Sequence, residues 1–314
     1  RYLIHNPPAA YASQAELDEV YARPYQRAQH PYYESQGAVK ALDTIRFSIN
    51  SHRGCYGECN FCAIAVHQGR HVVSRSEASI LDEARRLTRH PKFTGIIQDV
   101  GGPTANMYGY DCERKAARGA CPDKRCLFPD CCPALKPDHA PQLALLKKLR
   151  HLPGGRKPFV TSGIRPDLVE ADARSGARYV DELAAHHVSG QLKLAPEHCA
   201  KRVLDAMGKP PADTLLRFKA CFDDANRRHN LRQFLTYYFI AAHPGCTDDD
   251  MLALKRFAAK NLHLSPEQVQ IFTPTPSTWS TAMYYTGTNP FTRHPIHVTR
   301  GLRAKQAQKD LLTP

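Results

Sequence analysis

Cys55, Cys59 and Cys62 stand close together in the run Arg53-Gly54-Cys55-Tyr56-Gly57-Glu58-Cys59-Asn60-Phe61-Cys62, a Cys-x3-Cys-x2-Cys spacing. A structural zinc site wants four closing ligands, commonly one Cys-x2-Cys pair and a second pair further along the chain. Three thiolates on one tight loop instead suit three corners of a cubane iron–sulfur cluster, with the last iron left without a side chain. A small molecule can coordinate at such an open position, so the pattern points to chemistry rather than scaffolding. Gly54 and Gly57 let the loop curl and bring backbone N–H groups towards the sulfurs. The competing reading is a zinc knuckle completed by a Cys or His from elsewhere.

A second group follows at Cys112, Cys121, Cys126, Cys131 and Cys132, closed by Pro133. The surrounding segment has too few apolar residues to fold alone and calls for a staple. Structural zinc and an auxiliary 4Fe-4S cluster both fit, with Cys112, Cys121, Cys126 and Cys132 as the expected ligands and Cys131 spare. Cys199, Cys221 and Cys246 are scattered and read as small buried hydrophobes. A total of 11 cysteines with no visible secretory leader points to a reducing, cytoplasmic setting where clustered thiols bind metal.

The rest of the sequence must position these thiols. With 42% hydrophobic and 23% charged residues, the chain has material for a large core, and extended disorder is excluded. No run of about 20 apolar residues offers a membrane span. Residues 1–42, rich in Tyr, Pro and Ala, read as an irregular connector with a short helix near Gln14 to Tyr21. Strands are expected at Ile45 to Asn50, Thr94 to Val100, Phe159 to Ser162, Gln191 to Leu194, Phe234 to Ile240 and Val269 to Phe272.

Helices are expected between them: Ser76 to Thr88 with Ser76 as N-cap, Pro141 to Leu152, Tyr179 to His187, one capped by Asp213, and one starting at Thr247. Six strands with five helical crossovers give an α/β fold with a parallel sheet, either open or a partial or full (β/α) barrel. The barrel occupies 43–280 in this reading, interrupted by an aperiodic Cys-rich insertion at 103–138. Residues 281–314 form a basic, aperiodic extension packed outside it. The Arg1 start and the abrupt Thr313-Pro314 end suggest a piece of a longer polypeptide.

The Cys55–Cys62 loop after the first strand resembles the hallmark of the radical S-adenosylmethionine (SAM) superfamily, and later segments agree with it. Asp99-Val100-Gly101-Gly102-Pro103-Thr104 is similar to the glycine-rich strand end that receives the SAM amino group, with Pro103 where many members carry an acid. Thr161-Ser162-Gly163-Ile164-Arg165 implies that Ser162 and Arg165 meet the SAM carboxylate or ribose. Lys193-Leu194-Ala195-Pro196-Glu197-His198 resembles a nucleoside-contacting segment, which puts Lys193 and Glu197 near the cofactor.

Ala241-Ala242-His243-Pro244-Gly245-Cys246-Thr247 and Val269-Gln270-Ile271-Phe272-Thr273-Pro274 are similar to strand ends of the branch containing methylthiotransferases and B12-dependent enzymes. Pro103 to Tyr108, Ala195 to His198 and Tyr237 to Gly245, with the insertion, look like the YgiQ-type radical SAM proteins along nearly the whole chain. Members of that family carry a further N-terminal region.

The resemblance implies a barrel enzyme holding a 4Fe-4S cluster on Cys55, Cys59 and Cys62, with SAM on the open iron. Phe61 backbone groups would contact adenine, and Gly101, Gly102 and Phe272 would also line the cofactor site. Reductive cleavage would give a 5′-deoxyadenosyl radical that takes hydrogen from the substrate, and an electron donor such as flavodoxin or ferredoxin would supply the cluster. The substrate stays open between a small molecule, a peptide and RNA, the last motivated by the charge of +13 and the basic run after Arg293. A non-catalytic, metal-stabilised nucleic-acid-binding module is the reading from another class.

Overall fold

The computed structural model describes residues 2, 4, 6, 9–154 and 157–313. Pro7 and Pro8 of the expected connector lie outside the described residues. Six parallel strands follow one another in chain order: β1 (Ser48–Asn50), β2 (Ile96–Ile97 and, past Gln98, Asp99–Gly101), β3 (Lys157–Pro158), β4 (Gln191–Glu197), β5 (Phe234–Ala241) and β6 (Val269–Ile271). β1 pairs with β2 from Ser48↔Asp99 to Asn50↔Gly101. β2 pairs with β3 at Ile96↔Lys157, and the ladder continues as Phe159 N–H donates to the Ile97 carbonyl and Val100 N–H to that of Phe159. A parallel bridge, Ile164↔Leu194, joins the chain beyond β3 to β4. β4, β5 and β6 form a continuous parallel ladder. Among the described residues no ladder closes β6 onto β1, so the sheet is a partial barrel.

The crossovers run through helices Glu77–Thr88, Ala140–Arg150, Gly176–Glu182 (continued by a wider turn at Leu183–His187), Ala212–Arg228 and Asp248–Phe257. Each places a narrow apolar face on the sheet. In Ala212–Arg228 the buried set includes Leu215, Phe218, Phe222 and Ala225, one helical turn apart. They join Ile49, Val100, Leu192, Leu194 and Phe239 of the strands in one core. Full burial of each Leu or Phe there is worth roughly 1.5–3 kcal/mol relative to exposure. Ser76 caps its helix by accepting from Ser79 N–H, and Thr247 forms a reciprocal capping box with Asp250.

Several boundaries differ from expectation. β1 begins at Ser48 because Lys40–Ile45 is already helical. Asp213 is not a cap: Pro211 holds that position, and Asp213 lies in the first turn, where its charge suits the helix dipole. The insertion contains a 3-10 turn at Ala105–Met107 and a helix at Glu113–Arg118. Short helices at Pro166–Ala171 and Lys201–Met207 were not expected, since six or seven residues carry little periodicity.

The basic tail is not aperiodic either. Helix Leu302–Asp310 buries Lys305 and Gln308, and Lys305 Nζ donates to the Phe272 carbonyl at 3.1 Å while lying over the Tyr284 ring. A further helix, Trp279–Thr286, crosses the boundary expected at 280. No helix among the described residues is long and apolar enough to cross a membrane.

Candidate active site

β1 ends in a two-residue antiparallel pairing of His52–Arg53 with Val73–Ser74, and the cysteine loop springs from it. Gly54 has φ +92°, and a Cβ there would stand 2.1 Å from the His71 carbonyl oxygen. We therefore expect Gly54→Ala to cost about 1–3 kcal/mol of backbone strain plus the clash, read as a lower urea midpoint and reduced iron uptake by the loop.

The loop is held by three hydrogen bonds through Asn60, two to helix Lys201–Met207 and one to Trp279–Thr286. Its N–H donates to the Met207 carbonyl at 2.8 Å, its Nδ2 to the Ala206 carbonyl at 2.7 Å, and its own carbonyl accepts from Ser280 N–H at 2.9 Å. Nothing in the sequence marked Asn60, because a polar residue between two cysteines looks like loop filler.

Cys55, Cys59, Cys62, Phe61, Arg165 and Glu197 all line one cavity of about 980 Å³, open mouth included, at the C-terminal ends of the strands. That is the face where barrel enzymes place their chemistry. Burial pushes the Cys55 thiol up, with the Cys59 charge adding to it. Cys62 is pushed up to about 11, chiefly by burial, with Cys59 and Cys55 contributing. The thiols thus sense one another, and a cation or metal is needed to hold them as thiolates together.

The nearest donors are in place. Gly57 N–H points at Cys55 Sγ at 3.3 Å, and Arg165 Nη1 at Cys59 Sγ at 3.4 Å. Thr104 Oγ1 lies 3.8 Å from Cys55 Sγ. A Cβ on Gly57 would come within 2.8 Å of Arg165 Nη1 and 3.3 Å of Cys55 Sγ, so only glycine leaves this concavity free.

Two expected roles change. Arg165 does not present a free fork: its Nε donates to Asp167 Oδ1 at 2.9 Å and its Nη2 pairs with Oδ2, leaving Nη1 for the thiol. Burial opposes its charge, but Asp167 more than offsets this and the guanidinium is held firmly protonated. Ser162 donates its hydroxyl to Asp99 and does not line the cavity.

Gly101 packs against the Ser162 side chain and Gly102 against the His52 ring, both outside the cavity wall. Phe272 is buried behind His243, with ring centroids 5.2 Å apart, and His243 in turn meets the edge of Phe61. Lys193 lines neither the cavity nor an ion pair among the described residues. Its carbonyl accepts from Ile164 N–H.

Glu197 follows a register shift in β4, has φ +69° and turns into the cavity. Burial raises its carboxyl to about 7 against the pull of Lys209 and Arg165. Lys209 Nζ lies 4.0 Å from it and donates to the Ala195 carbonyl. Lys209 carried no sequence signal, being brought in by the left-handed turn at Gly208.

Three thiols on one loop, met by an N–H and a guanidinium donor, suit an iron–sulfur cluster, whose sulfurs accept such hydrogen bonds. His198 also lines the cavity, yet both its nitrogens are engaged: Nδ1 accepts from Ala200 N–H at 3.0 Å and Nε2 lies 3.6 Å from Cys246 Sγ.

In the second group, Cys112 and Cys126 are buried in one small apolar cluster, with Cys131 and Cys132 packed against it. Cys121, expected as a ligand, is outside this set, whereas Cys131, expected as spare, packs against it. Cys121 leads a stretch of bends and turns after the helix Glu113–Arg118, whereas Cys131 is fixed by its neighbour Cys132, whose N–H donates to the Cys126 carbonyl.

Residues 49–258 match the family model described as the Radical SAM superfamily. The chain belongs to that superfamily. Residues 1–48 of this radical SAM protein match a radical SAM N-terminal model, and 267–313 a domain of unknown function (DUF3362). The protein is 52% identical over 313 residues to UPF0313 protein FN0734 of Fusobacterium nucleatum, covering 100% of this chain and 55% of that protein.

It is also 45% identical over 310 residues to a UPF0313 protein of Thermotoga neapolitana, covering 99% and 54% respectively. The chain spans about half the length of the curated relatives it matches. The radical SAM methyltransferase TsrM from Kitasatospora setae, solved with cobalamin and a 4Fe-4S cluster, shares the fold: TM-score 0.51, 16% identity, 83% of this chain and 43% of that one.

Histidines of this radical SAM fold make it acid-sensitive. Burial lowers His52 to about 4, His198 to about 4 and His243 to about 3. Above their ordinary value of 6.5 both folded and unfolded forms are neutral and stability is full. Between pH 6.5 and about 4 only the unfolded chain takes up these protons, so stability falls with falling pH and levels off below the folded values. Urea unfolding of the apoprotein at pH 7.5 and pH 5 should show a lower midpoint at pH 5, as these histidines take up protons on unfolding.

Proposed function

We propose that this chain is the catalytic domain of a radical SAM enzyme that takes hydrogen from a small-molecule or peptide substrate. One observation carries the reading: three cysteines of a single loop line one strand-end cavity. Cys55, Cys59 and Cys62 would hold a 4Fe-4S cluster. When bound, that group supplies an electron at its open iron for reductive cleavage of SAM to methionine and a 5′-deoxyadenosyl radical.

The protein's own residues bind, orient and exclude water. Arg165 Nη1 and the Gly57 N–H offset the negative charge of the sulfurs. Glu197 offers carboxylate oxygens to ribose hydroxyls, and its half-protonated state near neutrality limits the cost of burying it there. Phe61, backed by His243, offers an apolar edge for adenine. Pro103, Ile64, Leu194 and Pro211 line the remaining wall and keep water out.

Anaerobic reconstitution, iron and sulfide counting, and assay of 5′-deoxyadenosine after chemical reduction test this. The expected result is a cluster and SAM-dependent release of 5′-deoxyadenosine. Zinc in place of iron on this loop, or SAM left intact by reduced protein, overturns it.

A further inference from the structure

We propose that Cys112, Cys126, Cys131 and Cys132 hold a second 4Fe-4S cluster, set against the back of the first cysteine loop. Cys112 and Cys126 are each only 4% exposed and share an apolar cluster with Tyr56, Met107, Leu127 and Leu135. Cys131 and Cys132 pack against that cluster, and so does Cys55 of the first loop. All four thiols are free, so no disulfide accounts for their gathering. The chain folds back on itself to bring them together: Cys132 N–H donates to the Cys126 carbonyl at 2.7 Å, and Leu135 N–H to that of Cys132 at 2.9 Å.

Charge around the set asks for an anion. Lys115 is 1% exposed, with its ammonium facing Cys126. Its Nζ donates to Glu58 Oε1 at 3.2 Å and to the Arg70 carbonyl at 2.5 Å. The same Glu58 carboxylate also pairs with Arg70 at 2.7 Å, so one buried anion serves two cations. Neutral thiols would leave the buried Lys115 with only a carboxylate that it shares with Arg70. A cluster on four thiolates carries net negative charge and offsets that of the ammonium.

Four thiolates can hold one zinc at about 2.3 Å or one iron each at the corners of a cubane, and metal counting separates the two. Access exists, since Cys131 and Cys132 line an open groove of about 1920 Å³ with Arg125, Phe128 and Phe291. The assignment stands independently of the SAM chemistry proposed above.

The experiment is metal counting with Mössbauer spectroscopy on anaerobically reconstituted full-length protein. The wild type should carry about eight irons and eight sulfides per chain, all in 4Fe-4S environments. The triple variant Cys55→Ser/Cys59→Ser/Cys62→Ser leaves every insertion thiol in place and should retain about four of each. Should that variant fail to fold by circular dichroism, Cys59→Ala gives the same readout. Cys121→Ser should leave the count unchanged, whereas Cys112→Ser/Cys126→Ser should halve it. Loss of all iron from the first-loop variants, a zinc atom in the insertion, or a fall in iron with Cys121→Ser but not with Cys131→Ser overturns the proposal.

Discussion

Cys59→Ala is expected to reduce SAM cleavage to the uncatalysed background and to strip the iron held by the first loop. Cys59 is the central thiol of that loop, its charge felt by both Cys55 and Cys62. It also receives Nη1 of Arg165, a guanidinium fixed in position by Asp167. Alanine leaves two thiols for three corners and turns Arg165 towards a site with less negative charge, so the remaining pair has lost both a ligand and the reason for its counter-charge. The loop should keep its shape, because Asn60, not Cys59, makes the bonds to Met207, Ala206 and Ser280. The checks are 5′-deoxyadenosine release and iron content, with circular dichroism as the folding control. Undiminished cleavage in this variant would contradict the role assigned to the loop.

The second large effect concerns stability. Glu83, a residue of helix Glu77–Thr88, is buried between two guanidiniums, Arg75 and Arg27. Arg75 has no exposed side-chain surface, contacts Glu83 Oε2 at 2.5 Å, and lies over the Tyr21 ring. Its Nη1 also donates to the Asn50 carbonyl at the end of β1, immediately before the cysteine loop. Glu83→Ala strands two cations, one of them fully buried, and should cost about 3–5 kcal/mol. Such a loss is large beside a typical domain stability of about 5–15 kcal/mol. Urea unfolding should show the midpoint falling sharply with an unchanged slope. Glu83→Gln, which keeps the shape and loses the charge, should be destabilised as well, whereas loss of an exposed pair such as Lys201–Asp205 should cost less than about 1 kcal/mol.

Periodicity and caps made the βα alternation legible, because each crossover helix buries one stripe and each strand ends in a turn. Ser76 and Thr247 behave as their types and spacing require. The cysteine loop was legible for a different reason: three thiols at short spacing have few uses. What the sequence hid depends on residues far apart in the chain. Asn60 matters only because Met207 and Ser280 come beside it. The fork of Arg165 is taken by Asp167, and the hydroxyl of Ser162 by Asp99, choices that no spacing rule anticipates. Choosing Cys131 over Cys121 required the folded insertion, since both sit at plausible intervals. Lys305 looked like part of a solvated basic run, yet it is buried against Phe272 and Tyr284, its charge shared with a carbonyl and two rings.

The three hydrogen bonds through Asn60 have a consequence for the life of the protein in air. Polypeptide sets the curvature of the loop, so loss of the proposed cluster to oxygen would leave its mould in place, and resupplied iron and sulfide should restore it without a new chain.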